Sequence, residues 1–146
     1  MEGIEKIIQL KKEGKVIGFT CSTFELGPHS GHDVMLSEAR SNCDYLVVGL
    51  QTDPTISRPN KNKPIQTTLE RWIQVQSNKY VDMIIPYDTE EDLLNLLQII
   101  EPDIRFIGEE YKDKEFTGKE LGIKLYYNKR RHNYSSSGLR ERIKGK

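Results

Sequence analysis

The sequence predicts a three-layer α/β domain built on a five-stranded parallel sheet. Five short runs are rich in apolar and β-branched residues, which is typical of strands that are buried on both faces. Helical stretches separate most of these runs, and strands that alternate with helices pair in parallel through right-handed crossovers. A chain of 146 residues with 36% hydrophobic content is long enough for one core, so we predict a single domain over residues 1–146.

The elements follow from the order of these patterns along the chain. Residues 2–13 form an amphipathic cover helix that Gly14 ends, with an apolar face made of Ile4, Ile7, Ile8 and Leu10. The strands lie in KVIGFTCS, YLVVGL, VDMIIP, DIRFIG and IKLYYN. Helices lie in HDVMLSEARS, TTLERWIQVQSNK and EEDLLNLLQII, and a last helix follows the serine triplet.

The composition argues against several classes of partner. Lys and Arg total 22 and balance 22 Asp and Glu, so no overall field recruits nucleic acid or an anionic membrane. No run approaches the roughly 18 consecutive apolar residues of a membrane span. The charged stretch MEGIEKIIQLKKEGK is unlike a secretory signal, so we expect a cytoplasmic protein. Cys21 and Cys43 are expected to be reduced packing residues.

Two polar loops are placed where a ligand would bind. In a doubly wound sheet, ligands bind at the carboxyl ends of the strands, near the switch in strand order. The segment QTDPTISRPNKNKPIQ follows the second strand, and GEEYKDKEFTGKELG follows the fourth. Both loops are rich in charge and could close over a polyanion.

His29 and His32 lie in the turn after the first strand. If that strand ends near Cys21 or Ser22, residues 24–31 form the turn and His32 begins the helix, whose free amides suit a phosphate. Other interpretations stay open. Zinc binding would need two more ligands, and His132 is the only other histidine. No activated Ser or Cys motif accompanies the pair, and an ordinary turn would need no function at all.

Several motifs in order resemble one family. STFELGPHSGH is similar to the T-F-D-x-x-H-x-G-H signature of the cytidylyltransferase-like nucleotidyltransferases, particularly the glycerol-3-phosphate cytidylyltransferases. The resemblance continues through CDYLVVGLQTD, LERWIQVQSNKYVDMIIPY, DIRFIGEEY and RRHNYSSSGLRERI, over roughly residues 15–143. The N-terminal helix is similar to that of the adenylyltransferase domain of heptose-phosphate activating enzymes. The resemblance implies a Rossmann-like fold.

The resemblance also implies a reaction. CMP would pass from CTP to a small phosphomonoester, a polyol or sugar phosphate, with release of pyrophosphate. Adenylyl transfer from ATP is one alternative, and a non-catalytic nucleotide-binding module is another. Because the attacking phosphate is already ionised, catalysis requires positioning of two anions and neutralisation of their charge. Mg²⁺ would accompany the triphosphate with few protein ligands. A homodimer is expected from the relatives.

Residue roles follow from the same resemblance. It implies catalytic roles for His29, His32, Lys63 and Arg130. Nucleotide contacts would come from Thr23, Phe24, Gly31, Gly108, Glu110, Tyr111, Ser135 and Ser136. Lys61 and Arg71 would bind the acceptor. Without the resemblance, the two lysines are ordinary solvated loop residues, Arg71 is an exposed helical cation, and a serine caps a helix.

The histidine turn departs from the family pattern. Leu26, Gly27 and Pro28 stand where relatives place two residues, and the acid before them is Glu25 instead of Asp. Glutamates also replace common aspartates at positions 109 and 110. We expect Gly27 and Pro28 to absorb the extra residue as a bulge, which keeps both histidines in place. The alternative is a site that binds a nucleotide but transfers poorly.

Overall fold

One parallel sheet organises the protein. The computed structural model describes residues 3–129 and 132–145. Its sheet has five strands in the order β3-β2-β1-β4-β5, so the predicted five-stranded parallel sheet is confirmed. The strands are β1 (Ile17–Ser22), β2 (Tyr45–Gln51), β3 (Met83–Tyr87), β4 (Ile104–Gly108) and β5 (Leu125–Asn128).

Helices connect the strands and cover both faces of the sheet. They are α1 (Ile4–Lys12), α2 (Ser30–Arg40), α3 (Thr68–Gln76), α4 (Glu90–Ile100) and α5 (Ser136–Lys144). Thr67 and Thr89 begin α3 and α4 with capping boxes, in which the threonine hydroxyl accepts from the amide three residues later. Of the helices that the structure describes, none is long and apolar enough to cross a bilayer.

Two hydrophobic cores lie on opposite faces of the sheet and give the three layers. Leu36 of α2 and Val75 of α3 pack over one face. Ile7 of α1 and Leu97 of α4 pack over the other face. Side chains of β2 alternate between the cores, because successive residues of a strand point to opposite faces. The three-layer α/β prediction is therefore confirmed.

Some local expectations are corrected. Ile8 of α1 is 49% exposed, so the buried contact of this helix depends on Ile7, with Ile4 and Leu10 partly buried. Strand β3 lies at an edge of the sheet and is only partly buried, with Tyr87 as its one buried residue. The edge position accommodates the exposed Pro86, whose ring nitrogen cannot donate to a neighbouring strand.

The strand order reverses at β1, and the sheet separates between the carboxyl ends of β1 and β4. From β1 the chain proceeds to β2 on one side, whereas β4 and β5 lie on the other. Strands β1 and β4 pair only through Gly18 with Ile104 and Phe19 with Arg105. Beyond these pairs, β1 continues to Ser22 while the two strands separate. A crevice therefore forms at their carboxyl ends, where the reversal of strand order predicts a ligand site.

Candidate active site

A cleft of about 790 Å³ occupies this crevice. Ligand pockets commonly measure about 300–1,000 Å³, so the volume suits a ligand of nucleotide size. Most of the predicted site residues line the cleft. They are Thr23, His29, Gly31, His32, Lys61, Gly108, Glu110, Tyr111, Ser135 and Ser136.

The two imidazoles cap helix α2. His29 is the N-cap residue, and its Nδ1 accepts from the amides of Gly31 at 3.0 Å and His32 at 3.4 Å. In return, Nδ1 of His32 accepts from the amide of His29 at 3.2 Å. The rings stack with centroids 3.8 Å apart. Helix α2 thus begins at Ser30, two residues before the predicted start, since His29 performs a task more usual for Ser, Thr, Asp or Asn.

The cap fixes which imidazole nitrogen carries the proton. An Nδ1 that accepts a hydrogen bond is unprotonated, so a neutral ring bears its hydrogen on Nε2. Burial, reinforced by the neighbouring His29, lowers the pKa of His32 to about 3. His32 is therefore neutral near pH 7 and can offer a phosphate oxygen one Nε2–H hydrogen bond instead of a positive charge.

The lowered pKa of His32 predicts a loss of stability in mild acid. Between pH 6.5 and about 3 the unfolded imidazole binds a proton that the folded one does not, so stability falls as pH falls. The slope for one such group is at most about 1.4 kcal/mol per pH unit. Urea unfolding at pH 7 and pH 5 should show a smaller acid loss for His32→Gln than for the wild type. Equal losses would contradict the assignment.

The loop before the histidines accommodates the extra residue by unusual backbone geometry. Phe24 and Leu26 have left-handed φ angles of 52° and 55°. At Gly27 the chain turns so tightly that an added Cβ would lie 1.8 Å from the amide nitrogen of His29. Only glycine fits this position. Both histidines still line the cleft.

Glu25 connects three separate segments around the cleft. Glu25 is 4% exposed, and its carboxylate accepts from the amides of Ile65 at 2.7 Å and Gln66 at 3.2 Å. Arg140 of α5 donates to the same carboxylate at 2.7 Å. The backbone carbonyl of Glu25 also accepts from the Ser136 hydroxyl at 3.0 Å. Glu25, which departs from the aspartate of the family pattern, therefore holds the surrounding loops together.

The start of α5 lies against the start of α2. Ser135 caps α5, and its hydroxyl accepts from the amide of Gly138 at 2.9 Å. Gly31 allows the close approach, because an added Cβ would lie 2.7 Å from the carbonyl oxygen of Tyr134. The N-termini of α2 and α5 thus meet beside the imidazoles, and the positive ends of both helix dipoles lie at the cleft.

Three predicted residues are not brought to the cleft by their side chains. Phe24 is fully buried in the core, with its ring 4.8 Å from that of His32, so it supports the histidine from below. Lys63 is exposed and does not line the cleft, although Lys61 does. Arg71 is buried at the ends of β1 and β2. The remaining prediction, Arg130, lies outside the described residues.

Arg71 is a buried structural residue and not the exposed cation that its helix suggested. Its side chain is 1% exposed. The guanidinium donates to the carbonyls of Gln51 at 2.6 Å, Thr52 at 2.5 Å and Thr23 at 2.9 Å. It therefore connects the ends of β1 and β2 to α3. This placement corrects the predicted contact of Arg71 with the acceptor phosphate.

Other cations line the cleft that sequence reasoning did not single out. They are Arg58, Arg105, Lys129 and Arg140. Arg105 is 4% exposed, donates to the carbonyl of Thr117 and lies 5.2 Å from the centre of the Phe116 ring. Among the described residues, no carboxylate forms an ion pair with Arg105. The sequence did carry a signal for Arg105, because this arginine stands within the otherwise apolar strand run DIRFIG.

The described residues give no support to the zinc alternative. In residues 3–129 and 132–145, no three or more His, Cys, Asp or Glu side chains cluster as a metal site. Cys43 packs against one core and Cys21 against the other.

The chain matches one known protein family over most of its length. The model of the cytidylyltransferase-like family matches residues 19–142. The chain belongs to the cytidylyltransferase-like family. The match includes β1, the histidine turn, the sheet and most of α5, which are the elements that build the cleft.

Curated relatives of this cytidylyltransferase-like chain agree with the family assignment. The bifunctional protein HldE of *Campylobacter jejuni* serotype O:2 is 30% identical over 143 residues. HldE of *Helicobacter pylori* strain HPAG1 is 34% identical over 143 residues. Each alignment covers 97% of this chain but only 31% and 30% of the relative, so the chain spans less than a third of their length.

The solved structures share the fold. The lipopolysaccharide core biosynthesis protein from *Thermoplasma volcanium* superposes with a TM-score of 0.64 at 27% identity, over 84% of this chain and all of that one. A pantoate-beta-alanine ligase from *Francisella tularensis* gives a TM-score of 0.62 at 20% identity, over 96% of this chain and 72% of that one. The second likeness bears on the fold alone.

Proposed function

We propose that the protein transfers a nucleotidyl group from a nucleoside triphosphate to the phosphate of a small sugar or polyol phosphate, and releases pyrophosphate. One observation carries the proposal: the imidazoles of His29 and His32 lie in one cleft with the N-terminal turns of α2 and α5. Oriented amides and Nε2–H groups are suited to a triphosphate. The family membership supports the same reaction class.

The reaction needs no covalent intermediate on the protein. An oxygen of the acceptor phosphate attacks the α-phosphorus and forms a new P–O bond, while the bond from that phosphorus to the bridging oxygen breaks and pyrophosphate leaves. His32 and His29 would donate hydrogen bonds to the crowded phosphate oxygens. Lys61 and the helix amides would offset charge as the two anions approach.

The proposal favours ATP as the nucleotide, with CTP as the alternative. The HldE alignments extend over 97% of the chain, so they reach beyond the family match. This extent agrees with the resemblance of the N-terminal helix to the adenylyltransferase domain of heptose-phosphate activating enzymes. The relatives thus favour adenylyl transfer over the cytidylyl transfer expected first.

Mg²⁺ belongs to the proposal as a companion of the triphosphate. When bound, it would supply charge neutralisation for the departing pyrophosphate. The described acids of the cleft, Glu110 among them, form no cluster of three metal ligands. A Mg²⁺ ion that arrives with the triphosphate would take most of its ligands from phosphates and water. The homodimer and the cytoplasmic location also remain predictions.

An assay of pyrophosphate release tests the proposed reaction. Purified protein with Mg²⁺ and either ATP or CTP is offered a panel of phosphomonoesters that includes glycerol 3-phosphate and glucose 1-phosphate. We expect release with ATP and at least one sugar phosphate. Release with CTP alone would select the alternative nucleotide. Thermal stabilisation by a nucleotide without any product would indicate a non-catalytic binding module.

A further inference from the structure

A polar cluster lies in the same cleft on the side of α4. It consists of Gln51 at the end of β2, Arg58 in the following loop, and Glu90 at the start of α4. The Oε1 of Gln51 accepts from Nη2 of Arg58 at 3.4 Å. Nε of Arg58 lies 4.0 Å from Oε1 of Glu90. Both distances are near the limit of their interaction, so Arg58 is held weakly.

The cluster leaves three polar atoms without hydrogen-bond partners. They are Nε2 of Gln51, Nε of Arg58 and Oε2 of Glu90. In the described part of the chain, four buried side-chain atoms lack a partner, and three of them belong to this cluster. Gln51 as a whole is 3% exposed. Each such atom costs about 1–3 kcal/mol, so their concentration at one cleft points to a ligand.

The unpaired atoms define the chemistry of that ligand. Two are donors and one is a carboxylate acceptor, so the complement must both accept and donate hydrogen bonds. A hydroxyl group does both. A phosphate alone would meet repulsion from Glu90, and an apolar group would leave all three atoms unpaired. Neighbouring hydroxyls of a sugar or polyol satisfy the cluster.

The cluster is placed across the sheet from the proposed triphosphate site. Helix α2, which carries His29 and His32, packs on the face that includes Leu36, whereas α4 packs on the opposite face. Both sides open into the one cleft at the strand ends. A nucleoside triphosphate whose phosphates lie near α2 and α5 would leave the part of the cleft beside α4 free for the acceptor.

We propose that Gln51, Arg58 and Glu90 bind the hydroxyl groups of the acceptor and thereby select a polyhydroxylated phosphomonoester. This inference rests on the proposed function, because it assigns the second substrate of that reaction. Arg58, whose side chain is 37% exposed, would turn to admit the hydroxyls. The buried Nε2 of Gln51 and the buried Oε2 of Glu90 then gain the partners that they lack.

Matched pairs of acceptors test the proposal. Glycerol 3-phosphate is compared with propyl phosphate, which lacks only its two hydroxyls. Glucose 1-phosphate is compared with cyclohexyl phosphate, which lacks the hydroxyls together with the ring oxygen and C6. Gln51→Leu and Glu90→Gln should lower kcat/KM for the better hydroxylated acceptor about 10-fold or more. The KM for the nucleotide should stay unchanged, and kcat/KM for the deoxygenated acceptors should fall much less than kcat/KM for the hydroxylated ones. Gln98→Leu and Glu91→Gln repeat the same chemical changes at exposed positions of α4 and serve as controls.

Direct binding separates this proposal from the proposed function. Thermal shifts of the wild type with each acceptor, without nucleotide, require no turnover. A larger shift with the hydroxylated member, lost in Gln51→Leu, supports the cluster even where no pyrophosphate is released. Equal shifts within each pair, or equal losses of kcat/KM for both members, would overturn it. Absence of turnover with every acceptor would instead count against the proposed reaction.

Discussion

Replacing His32 by alanine is expected to lower kcat by about 10²–10³-fold, as removal of one preorganised donor to a developing charge commonly does. His32 is held by its cap bond to the amide of His29 and by contact with Phe24, so its Nε2–H direction is fixed before a ligand arrives. Its neutrality predicts that kcat will show no titration of His32 between pH 6 and 8. Pyrophosphate release measured across this range tests both statements.

A control variant separates catalysis from the helix cap. Gln at the third helical position can reach back to the N-cap amide as His32 does, so His32→Gln should recover the stability lost in His32→Ala. It should not recover turnover, because the amide group does not reproduce Nε2–H at the same place. Unchanged turnover in His32→Ala would remove the histidine pair from the mechanism.

Replacing Arg71 by methionine should destabilise the fold by about 3–5 kcal/mol. Methionine keeps much of the volume but leaves the carbonyls of Thr23, Gln51 and Thr52 without the donor that now serves all three. Unfolding by urea, with midpoint and slope compared with the wild type, measures the loss. Arg142→Met, an exposed change on α5, should have little effect.

The same variant distinguishes the two roles considered for Arg71. A phosphate-binding arginine would lose acceptor use at little cost in stability. A buried arginine loses stability first, and any variant that folds should keep its KM for the acceptor. A stable Arg71→Met protein with a strongly raised acceptor KM would therefore restore the role that the family pattern implied.

The elements and the cleft could be predicted from the sequence because their signals are local. Each buried strand is a continuous apolar run, and the alternation of strands and helices fixes the layers. The position of His29 and His32 followed from the turn after β1. Their capping role did not, since histidine is an unusual N-cap residue and its stacking on a second imidazole has no sequence signature.

Contacts between distant segments could not be predicted. Arg71 and Thr23 lie 48 positions apart, and Glu25 and Arg140 lie 115 apart. An amphipathic pattern places an arginine on a helix face, but it does not say whether neighbouring strand ends offer carbonyls to that face. Gln51 was invisible for the same reason, since an amide at a strand end becomes informative only when its unpaired nitrogen is located.

The bond between Glu25 and Arg140 has a consequence for protein synthesis. On the ribosome, β1 and the histidine turn emerge before α5, so Glu25 is synthesised well before the arginine that it binds. A nascent chain that stops before α5 would lack the contacts of Ser136 and Arg140 with Glu25, and with them one side of the cleft. The cleft would thus be completed only after all five strands of the sheet have been synthesised.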